Sequence, residues 1–549
     1  MKTKLGLVLI AAFVLAAALL PRIIASAAPW QTKVDSWVLE TAQAGDTEFI
    51  VFLAEQADLS AADSLAGKLA KGEFVYRTLS ETAARTQSPV IAVLEDLGVE
   101  YRAYWVANFV WVRGSEAIVQ AMAERADVAH IYANPAVRME LPVESGSAAA
   151  PSVIEPNIAW VNADDVWAAG FNGAGVVIGG QDTGYDWDHP ALKDQYRGWN
   201  GASADHNYNW HDAIHSGGGS CGPNSPLPCD DFGHGTHTMG TMVGDDGGAN
   251  QIGMAPGASW IGCRNMDVGV GTPTTYSECF QWFIAPTDLN NQNPDPTKAP
   301  HAINNSWSCP VSEGCVDPNV LKTVVENTRA AGIVVVVSAG NSGSSCGSVN
   351  TPAAIYDASF SVGATNKTND AIASFSSRGP VTVDGSNRLK PDISAPGVSI
   401  RSAIPGTGYT TMSGTSMAGP HVAGLVALLI DAAPLLEGDV DTLEVVIEQS
   451  AVQLTSTQDC PPFPGNQIPN AVFGYGRIDA FEAYLLAINP PDATPTPSST
   501  ATATSTSSPT ASPTSTATST ASPTPTPTLT PSPLPEGTDS YMPLIINEE

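Results

Sequence analysis

Hydrophobic and polar positions follow two different patterns in the main part of the chain. Between residues 47 and 139, short strand-like runs alternate with helical runs, which predicts a small α+β unit. From Trp160 to Asn489, fully apolar runs such as Val176–Gly179 and Ile333–Val337 alternate with helical stretches such as Met417–Ile430. Apolar strands separated by helices indicate a parallel sheet covered on both faces. The pattern therefore predicts a small α+β domain followed by a larger α/β domain.

The runs of the first unit give its predicted elements. They are Phe49–Leu53, Ala61–Leu69, Pro89–Leu97, Tyr101–Val112, Glu116–Arg125 and Val128–Tyr132. Beyond them, Val143–Pro151 is small and polar, so we predict an exposed linker and a domain boundary there.

The end of the chain changes composition abruptly. From Thr494 to Pro533 nearly every residue is Pro, Thr, Ser or Ala. Such a segment cannot bury a core, so we predict an extended, solvated stalk over residues 491–535. A short apolar tip follows at residues 536–549, and we assign it no role.

The first residues have the form of an export signal. Lys2 and Lys4 precede an apolar run from Leu5 to Leu20, and small residues follow at Ala25 to Ala27. This arrangement predicts a signal peptide over residues 1–27, with an N-terminal membrane anchor as the alternative. Export places the chain in an oxidising compartment, where its eight cysteines are expected to form disulfides.

Charge and length exclude some classes of function. The chain has 549 residues and a formal net charge of −31, and no basic run occurs in it. Nucleic-acid binding needs clustered Lys and Arg, so that class is excluded. With 43% hydrophobic residues, the chain has ample material for a sizeable core.

Four short segments carry the candidate chemistry. Asp182 ends an apolar strand, where α/β sheets place functional groups. His234 stands between two glycines that leave its ring accessible. Asn341 ends a second buried strand, and Ser416 begins an apolar helix, at the positive end of its dipole.

Each of these residues also has an ordinary structural reading. Asp182 and Asn341 suit turns, and Ser416 suits a helix N-cap. His234 and His237 lie three apart, as zinc ligands do, but no Glu stands between them and no third ligand follows. We therefore predict no metal site there, and we expect His421, inside the helix, to be packed in the core.

Taken together, the motifs around Asp182, His234, Asn341 and Ser416 resemble those of the subtilisin-like (subtilase, S8) serine peptidases, in the same chain order. The segments 304–307, 263–266 and 473–479 look like the bacillopeptidase F branch of that family. The resemblance implies a three-layer α/β/α catalytic domain with a parallel sheet over residues 151–490. For residues 28–150 it implies a ferredoxin-like α+β pro-domain that inhibits and chaperones the catalytic domain.

The resemblance also implies a role for each candidate residue. Ser416 would be the nucleophile, His234 its general base, and Asp182 the carboxylate that orients the imidazole. Asn341 and the Ser416 backbone N–H would stabilise the oxyanion. Substrate would pair with two exposed edges whose walls are small and uncharged, which predicts a preference for a sizeable apolar residue before the scissile bond. These edges consist of Ser306, Trp307, Ser308, Ser338, Ala339 and Gly340.

The leading hypothesis is a secreted serine endopeptidase that is made as a self-inhibited precursor and acts on polypeptides. The alternative is a non-catalytic binding or surface protein on a peptidase scaffold. We expect a monomer that needs no cofactor for catalysis, with retention at the cell surface through the stalk left open. Structural calcium is common in the resembled family, but no loop here has a recognised calcium spacing.

The disulfide pairing is open at this point, because eight cysteines allow 105 pairings. Cys221 with Cys229 and Cys309 with Cys315 are near neighbours in sequence. That leaves Cys263–Cys279 and Cys346–Cys460 as the remaining predicted pairs.

Overall fold

The computed structural model describes residues 29–139, 143–147, 153–217 and 219–489, with the backbone alone for 143–147. The predicted signal peptide at 1–27, the stalk at 491–535 and the tip at 536–549 lie outside the described residues. Described residues 29–489 fall within one compact unit.

The leading region, residues 29–139, is built on a four-stranded antiparallel sheet. Its strands are β1 (Thr47–Leu53), β2 (Glu100–Tyr104), β3 (Phe109–Gly114) and β4 (Val128–Ala133), in the spatial order β2-β3-β1-β4. Its helices are α1 (Ser36–Ala42), α2 (Lys68–Asp96) and α3 (Glu116–Ala123). This architecture agrees with the predicted α+β unit.

Two details of that unit differ from the sequence prediction. The predicted helices at Ala61–Leu69 and Pro89–Leu97 are replaced by a short 3-10 turn, Ser60–Ser64, and the single 29-residue helix α2. Pro89 is exposed inside α2, so the carbonyl that lacks its N–H partner can reach water. The run Tyr101–Val112 is a hairpin of β2 and β3, because Asn108 turns the chain with φ +44°.

Except β5, which lies at the end of the leading region, and β6, which follows that region, the remaining strands and helices belong to the second region. Its large sheet comprises β7 (Val177–Asp182), β8 (Trp210–Asp212), β9 (Ser259–Arg264), β12 (Ala302–Asn305), β13 (Val334–Ser338), β14 (Phe360–Asn366) and β15 (Ile393–Val398). The short strands are β5 (Val137–Arg138), β6 (Val143–Ser147), β10 (Met266–Asp267), β11 (Val270–Gly271), β16 (Ile400–Ile404) and β17 (Gly408–Ser413). The helices are α4 (Pro156–Trp160), α5 (Ala163–Ala168), α6 (His234–Val243), α7 (Pro273–Ile284), α8 (Lys322–Ala330), α9 (Thr415–Ala432), α10 (Val440–Gln449) and α11 (Ala480–Ala487).

The large sheet is parallel throughout and has the order β15-β14-β13-β12-β7-β9-β8. One face packs on α6 and α9 through residues such as Met239 and Leu425, and the other packs on α7 and α8 through Phe283 and Val324. The predicted three-layer α/β/α fold is confirmed. Among the described helices, α9 alone is long and apolar enough to cross a membrane, and it is a buried core helix.

Two small sheets connect the leading region to the second region. Strand β5 pairs with β11, and β6 pairs antiparallel with β17. Within the predicted linker Val143–Pro151, residues 143–147 form a strand, which the composition did not indicate. Composition misled the prediction because strand pairing uses backbone N–H and C=O groups, which small polar residues also carry.

All four predicted disulfides are present. They are Cys221–Cys229, Cys263–Cys279, Cys309–Cys315 and Cys346–Cys460. All lie in the second region, and the leading region contains no cysteine.

Candidate active site

The site lies at the carboxyl ends of three neighbouring parallel strands. Asp182 is the last residue of β7, Ser306 follows β12, and Ser338 ends β13 two residues before Gly340. Strand β12 lies between β7 and β13, and the chain leaves β7 toward β9 on its other side. Such a change of direction in the strand order opens a crevice at the carboxyl edge of an α/β sheet.

His234 is the first residue of α6, and the glycines beside it allow the helix to approach β7. Gly233 has φ +91°, a left-handed conformation that favours glycine. A Cβ on Gly235 would lie 2.1 Å from the carbonyl oxygen of Gly184, so no larger residue fits there. This close approach brings His234 to Asp182.

Asp182 and His234 form a buried pair. Nδ1 of His234 lies 2.7 Å from Oδ1 of Asp182, and both side chains are 1% exposed. The same carboxylate accepts the Thr183 backbone N–H at 2.7 Å, and the Thr238 hydroxyl lies 3.4 Å from its other oxygen. The Asp182 contact favours the tautomer with the proton on Nδ1. Nε2 of His234 is buried and has no hydrogen-bond partner among the described residues.

Ser416 lies in the first turn of α9 and is 6% exposed. Its Oγ lies 3.5 Å from the Ser306 carbonyl oxygen, at the outer limit of a hydrogen bond. The described hydrogen bonds do not join Ser416 to His234. Loose contacts of this kind are common in an active site without its substrate, and they tighten when substrate binds.

Asn341 is held with a fixed orientation of its amide. Its Oδ1 accepts hydrogen bonds from both the backbone N–H and the hydroxyl of Thr415, each at 2.9 Å. Because the oxygen is occupied in this way, the NH₂ group remains available as a donor. Thr415 is adjacent to Ser416, so the amide is fixed beside the serine.

Ser416 and Asn341 line one cleft, whereas Asp182 and His234 are not among its lining residues. Its lining residues are Met139, Ser306, Trp307, Ser308, Ser338, Gly340, Asn341, Thr415 and Ser416. Five of the six predicted substrate-binding residues line it. The exception is Ala339, which is 1% exposed and donates its backbone N–H to the Val362 carbonyl.

The subtilase family model matches residues 173–476, which is more than half of the chain. The chain belongs to the subtilase family. Over 434 residues it is 36% identical to bacillopeptidase F of Bacillus subtilis. The aligned segment covers 75% of this chain and 28% of that protein. It is 34% identical to subtilisin E of Bacillus subtilis, over 50% of this chain and 61% of that protein. It is 35% identical to subtilisin DY of Bacillus licheniformis, over 50% of this chain and 84% of that protein.

In this subtilase the two predicted edges are less exposed than the sequence suggests. Trp307 is 4% exposed, because its ring stacks on Tyr276 with ring centres 3.9 Å apart. Ser306 is 1% exposed, and Met139 of the leading region lines the cleft beside it. The side chains of Ser306 and Trp307 are therefore buried, and substrate pairing at the two edges stays a prediction.

Sequence reasoning missed the contacts of this subtilase's leading region with the cleft. Arg138 in β5 lies opposite Val270 in β11, and the Met139 N–H donates to the Gly269 carbonyl at 2.8 Å. The Arg138 N–H donates to Oε2 of Glu313 at 3.1 Å. The small residues Gly269-Val270-Gly271, soon after strand β9, are the one sequence signal that marks this strand-binding edge.

The other histidines of the motifs have structural contacts. His237 and His421 are fully buried, and burial lowers their pKa to about 3 and about 4 respectively. Nε2 of His237 donates to the Ile400 carbonyl, and Nδ1 of His421 donates to the Met417 carbonyl. Each is therefore a neutral packed histidine, as predicted for His421.

One group among the described residues could hold a metal ion. It consists of Asp35, His130 and Asp317, whose ligand atoms lie within 4.8 Å of one another. Calcium takes six to eight oxygen ligands, and a set with one imidazole and two carboxylates does not fit it. We therefore identify no calcium ligands, and no step of the chemistry below involves a metal.

Proposed function

We propose that this subtilase is a secreted serine endopeptidase, which hydrolyses peptide bonds of proteins through an acyl-enzyme on Ser416. One observation carries the proposal: Ser416 and the oriented Asn341 amide line one cleft, and the buried Asp182–His234 pair leaves Nε2 of His234 without a partner among the described residues.

The proposed mechanism starts with a proton transfer. A serine hydroxyl is a weak nucleophile, and Nε2 of His234 is the base available to take its proton. Asp182 accepts the Nδ1 proton and stabilises the imidazolium that forms. Ser416 Oγ bonds to the substrate carbonyl carbon, which gives a tetrahedral intermediate. When the intermediate collapses, the C–N bond breaks and His234 gives its proton to the leaving amine. Water, deprotonated by His234, then attacks the acyl-enzyme; the bond to Ser416 Oγ breaks, the serine regains the proton and the acid is freed.

The oxyanion of the tetrahedral intermediate needs hydrogen-bond donors. The Asn341 NH₂ group is one candidate donor, because its oxygen is already held by Thr415. The Ser416 backbone N–H is another, because N–H groups in the first turn of a helix lack partners within the helix. Loss of one such donor costs about 3–4 kcal/mol of transition-state stabilisation in enzymes of this type.

The uncut chain is proposed to be a self-inhibited precursor. Met139 lines the cleft together with Ser416, and Val143–Ser147 pairs with β17, which ends three residues before Ser416. Because Val143 lies opposite Ser413, we propose that the maturation cut falls within residues 139–143. Residues 28–139 are then the inhibitory pro-domain, and the catalytic domain extends to about residue 490.

The remaining parts of the proposal concern location and partners. The predicted signal peptide and the four disulfides favour export. Polypeptides are the proposed substrates, and the pro-domain is the proposed internal inhibitor and chaperone. We propose a monomer that the stalk can retain at the cell surface.

Covalent labelling tests the proposed function. A serine-directed phosphonofluoridate loses fluoride when an activated serine oxygen attacks its phosphorus. We expect the wild-type chain to be labelled at Ser416, as located by peptide mass, and to hydrolyse a protein substrate. Ser416→Ala and His234→Ala should show neither result. A wild-type chain that is neither labelled nor active would favour the non-catalytic binding protein.

A further inference from the structure

Three fully buried amide side chains form a hydrogen-bonded row near the carboxyl edge of the parallel sheet. They belong to Gln181 in β7, Asn305 in β12 and Asn265, which follows β9. The Asn265 amide donates to the Gln181 oxygen at 2.8 Å, and the Gln181 amide donates to the Asn305 oxygen at 2.6 Å. The Asn305 amide donates to the Val336 carbonyl of β13 at 2.9 Å. This amide row therefore links four neighbouring strands, β9, β7, β12 and β13.

The amide row holds the end of β7, where Asp182 lies. Gln181 directly precedes Asp182 in that strand. The Asp182 carbonyl accepts the Asn265 backbone N–H at 2.9 Å, and the Asn265 carbonyl accepts the Thr275 hydroxyl of α7 at 2.8 Å. The peptide groups on both sides of the Asp182 side chain are thus fixed by contacts of the row.

The amide row lies on the face of the sheet opposite to the Asp182–His234 pair. Successive side chains of a strand point to opposite faces, so Gln181 and Asp182 face different helices. A Cβ on Gly179, two residues before Gln181, would lie 2.7 Å from Phe283 of α7, which identifies the face that Gln181 shares. Gln181 is fully buried and does not line the cleft. It can therefore affect the chemistry only through the position of the strand end.

Apolar side chains could fill this space without burying any polar group. A buried amide that loses its hydrogen bonds to water destabilises the fold unless the protein replaces them. The replacement is incomplete here, because Oδ1 of Asn265 is buried and has no hydrogen-bond partner among the described residues. Hydrogen bonds are directional, so paired amides fix one arrangement of their strands, whereas apolar contacts allow sliding. Polar groups buried at the expense of stability are expected at functional sites.

We propose that Gln181 is a positioning residue: through the amide row it holds the end of β7 so that the Asp182 carboxylate stays at hydrogen-bond distance from Nδ1 of His234. This inference rests on the proposed function. A misplacement of about 1 Å at a catalytic group costs about a hundredfold in rate. The effect should fall on kcat and leave KM nearly unchanged, because Gln181 is not part of the cleft wall.

Gln181→Met tests the proposal in the processed enzyme, because methionine is also unbranched but cannot replace the two amide hydrogen bonds. We expect kcat on a peptide p-nitroanilide to fall by about tenfold to a hundredfold, with KM within about twofold of wild type. Titration to completion with the phosphonofluoridate counts the competent molecules, so kcat is independent of the amount of folded protein.

Asn470→Ala is the matched control. The Asn470 amide is also fully buried and forms four hydrogen bonds, all within residues 454–473 and none with the amide row. Its removal should lower Tm and leave kcat unchanged. A loss of kcat in Asn470→Ala equal to that in Gln181→Met would show that general destabilisation causes both losses, and the positioning role would be wrong.

A second variant separates positioning from unpaired polar groups. In the triple variant Gln181→Met/Asn265→Ala/Asn305→Ala no side-chain amide of the row remains, so Tm should recover toward wild type while kcat stays low. Wild-type kcat in either variant, or failure of both to fold, would show that the row serves only the fold, and the peptidase assignment would stand. If wild type and Ser416→Ala are equally inactive, the proposed function fails and this inference fails with it.

Discussion

The two larger sheets of the described residues bury their faces in different ways. The parallel sheet of the second region is covered on both faces by helices of that region. The antiparallel sheet of the leading region covers one face with its own helices, through residues such as Phe49 and Val112. Its other face, with Ile50 and Trp111, joins a core that contains Phe280 and Val324 of the second region.

The difference indicates which region depends on the other. The leading region has no disulfide, and it buries one face of its sheet against the second region. Separation of the two regions would therefore expose apolar surface. The second region has its own core, four disulfides and all of the proposed catalytic residues. This agrees with the proposal that the leading region is a removable pro-domain and the second region the catalytic domain.

The largest expected effect is a loss of kcat when a proposed catalytic residue of the second region is replaced. Asp182→Asn should lower kcat on a p-nitroanilide substrate by about ten-thousandfold, because the neutral amide no longer favours the required imidazole tautomer. Asp127→Asn, in the leading region, is the matched control, and kcat of the processed enzyme should be unchanged because maturation removes that residue. Equal losses in both variants would contradict the assignment of chemistry to the second region.

The next effect concerns stability. Replacing Cys346 and Cys460 by Ser opens a cross-link between residues 114 apart in sequence, whereas Cys221 and Cys229 are 8 apart. We expect losses of about 4–5 kcal/mol and about 2–3 kcal/mol respectively, because a longer closed loop restricts the unfolded chain more. Thermal unfolding in the Ser416→Ala background measures both. If removal of Cys221–Cys229 cost more stability, loop length would not determine how much each disulfide stabilises the fold.

A smaller effect is expected on the strength with which the leading region binds to the second region. Oε1 of Gln281 accepts the backbone N–H groups of Trp105 and Val106 in the leading region, at 2.7 and 3.2 Å. Gln281→Ala removes this acceptor and should weaken attachment by about 1–3 kcal/mol. The cut leading region should then dissociate faster, as followed by the recovery of p-nitroanilide activity. Gln281→Glu keeps an acceptor and serves as the control; the same recovery rate in all three proteins would exclude this contact.

The smallest expected effect depends on pH. The Tyr104 hydroxyl of the leading region donates to Glu278 at 2.7 Å, and Nε2 of His215 lies 3.0 Å from the same carboxylate. Burial opposes a charge on His215, yet Glu278 raises its pKa above 6.5, while nearby Arg102 has a smaller opposing influence. A raised pKa stabilises the folded chain at pH below 6.5, and this contribution is lost as the pH rises through the folded pKa.

We therefore expect the Tm of the uncut Ser416→Ala chain to fall by a few degrees as the pH rises from about 6 to about 9. His215→Asn in that background should show a smaller decline. A decline of the same size in both proteins would show that His215 does not contribute to the pH dependence of Tm.

Much of the enzyme region could be predicted from the sequence, because its signals are local. An apolar strand that ends at Asp182, a second that ends at Ser338 shortly before Asn341, and the glycines beside His234 mark both the sheet and the residues at its edge. The disulfides of neighbouring cysteines follow from short separations. These features need no knowledge of distant contacts.

The contacts between the regions could not be predicted in the same way. The pairing of Val143–Ser147 with β17 depends on a free strand edge more than 250 residues away in sequence. Met139 reaches the cleft because its strand pairs with β11. Trp307 is buried because its ring stacks on the ring of Tyr276. Each of these outcomes depends on a distant partner, which the composition of the segment itself does not show.

The central claim is that Ser416 cuts the chain that covers it. Intact masses and N-terminal sequences of the secreted wild-type protein and its Ser416→Ala variant test it most directly. The account predicts a wild-type N-terminus within residues 140–143 and a variant that keeps residues 29–139 joined to the rest. Identical processing of both proteins, or retention of the leading region by both, would contradict it.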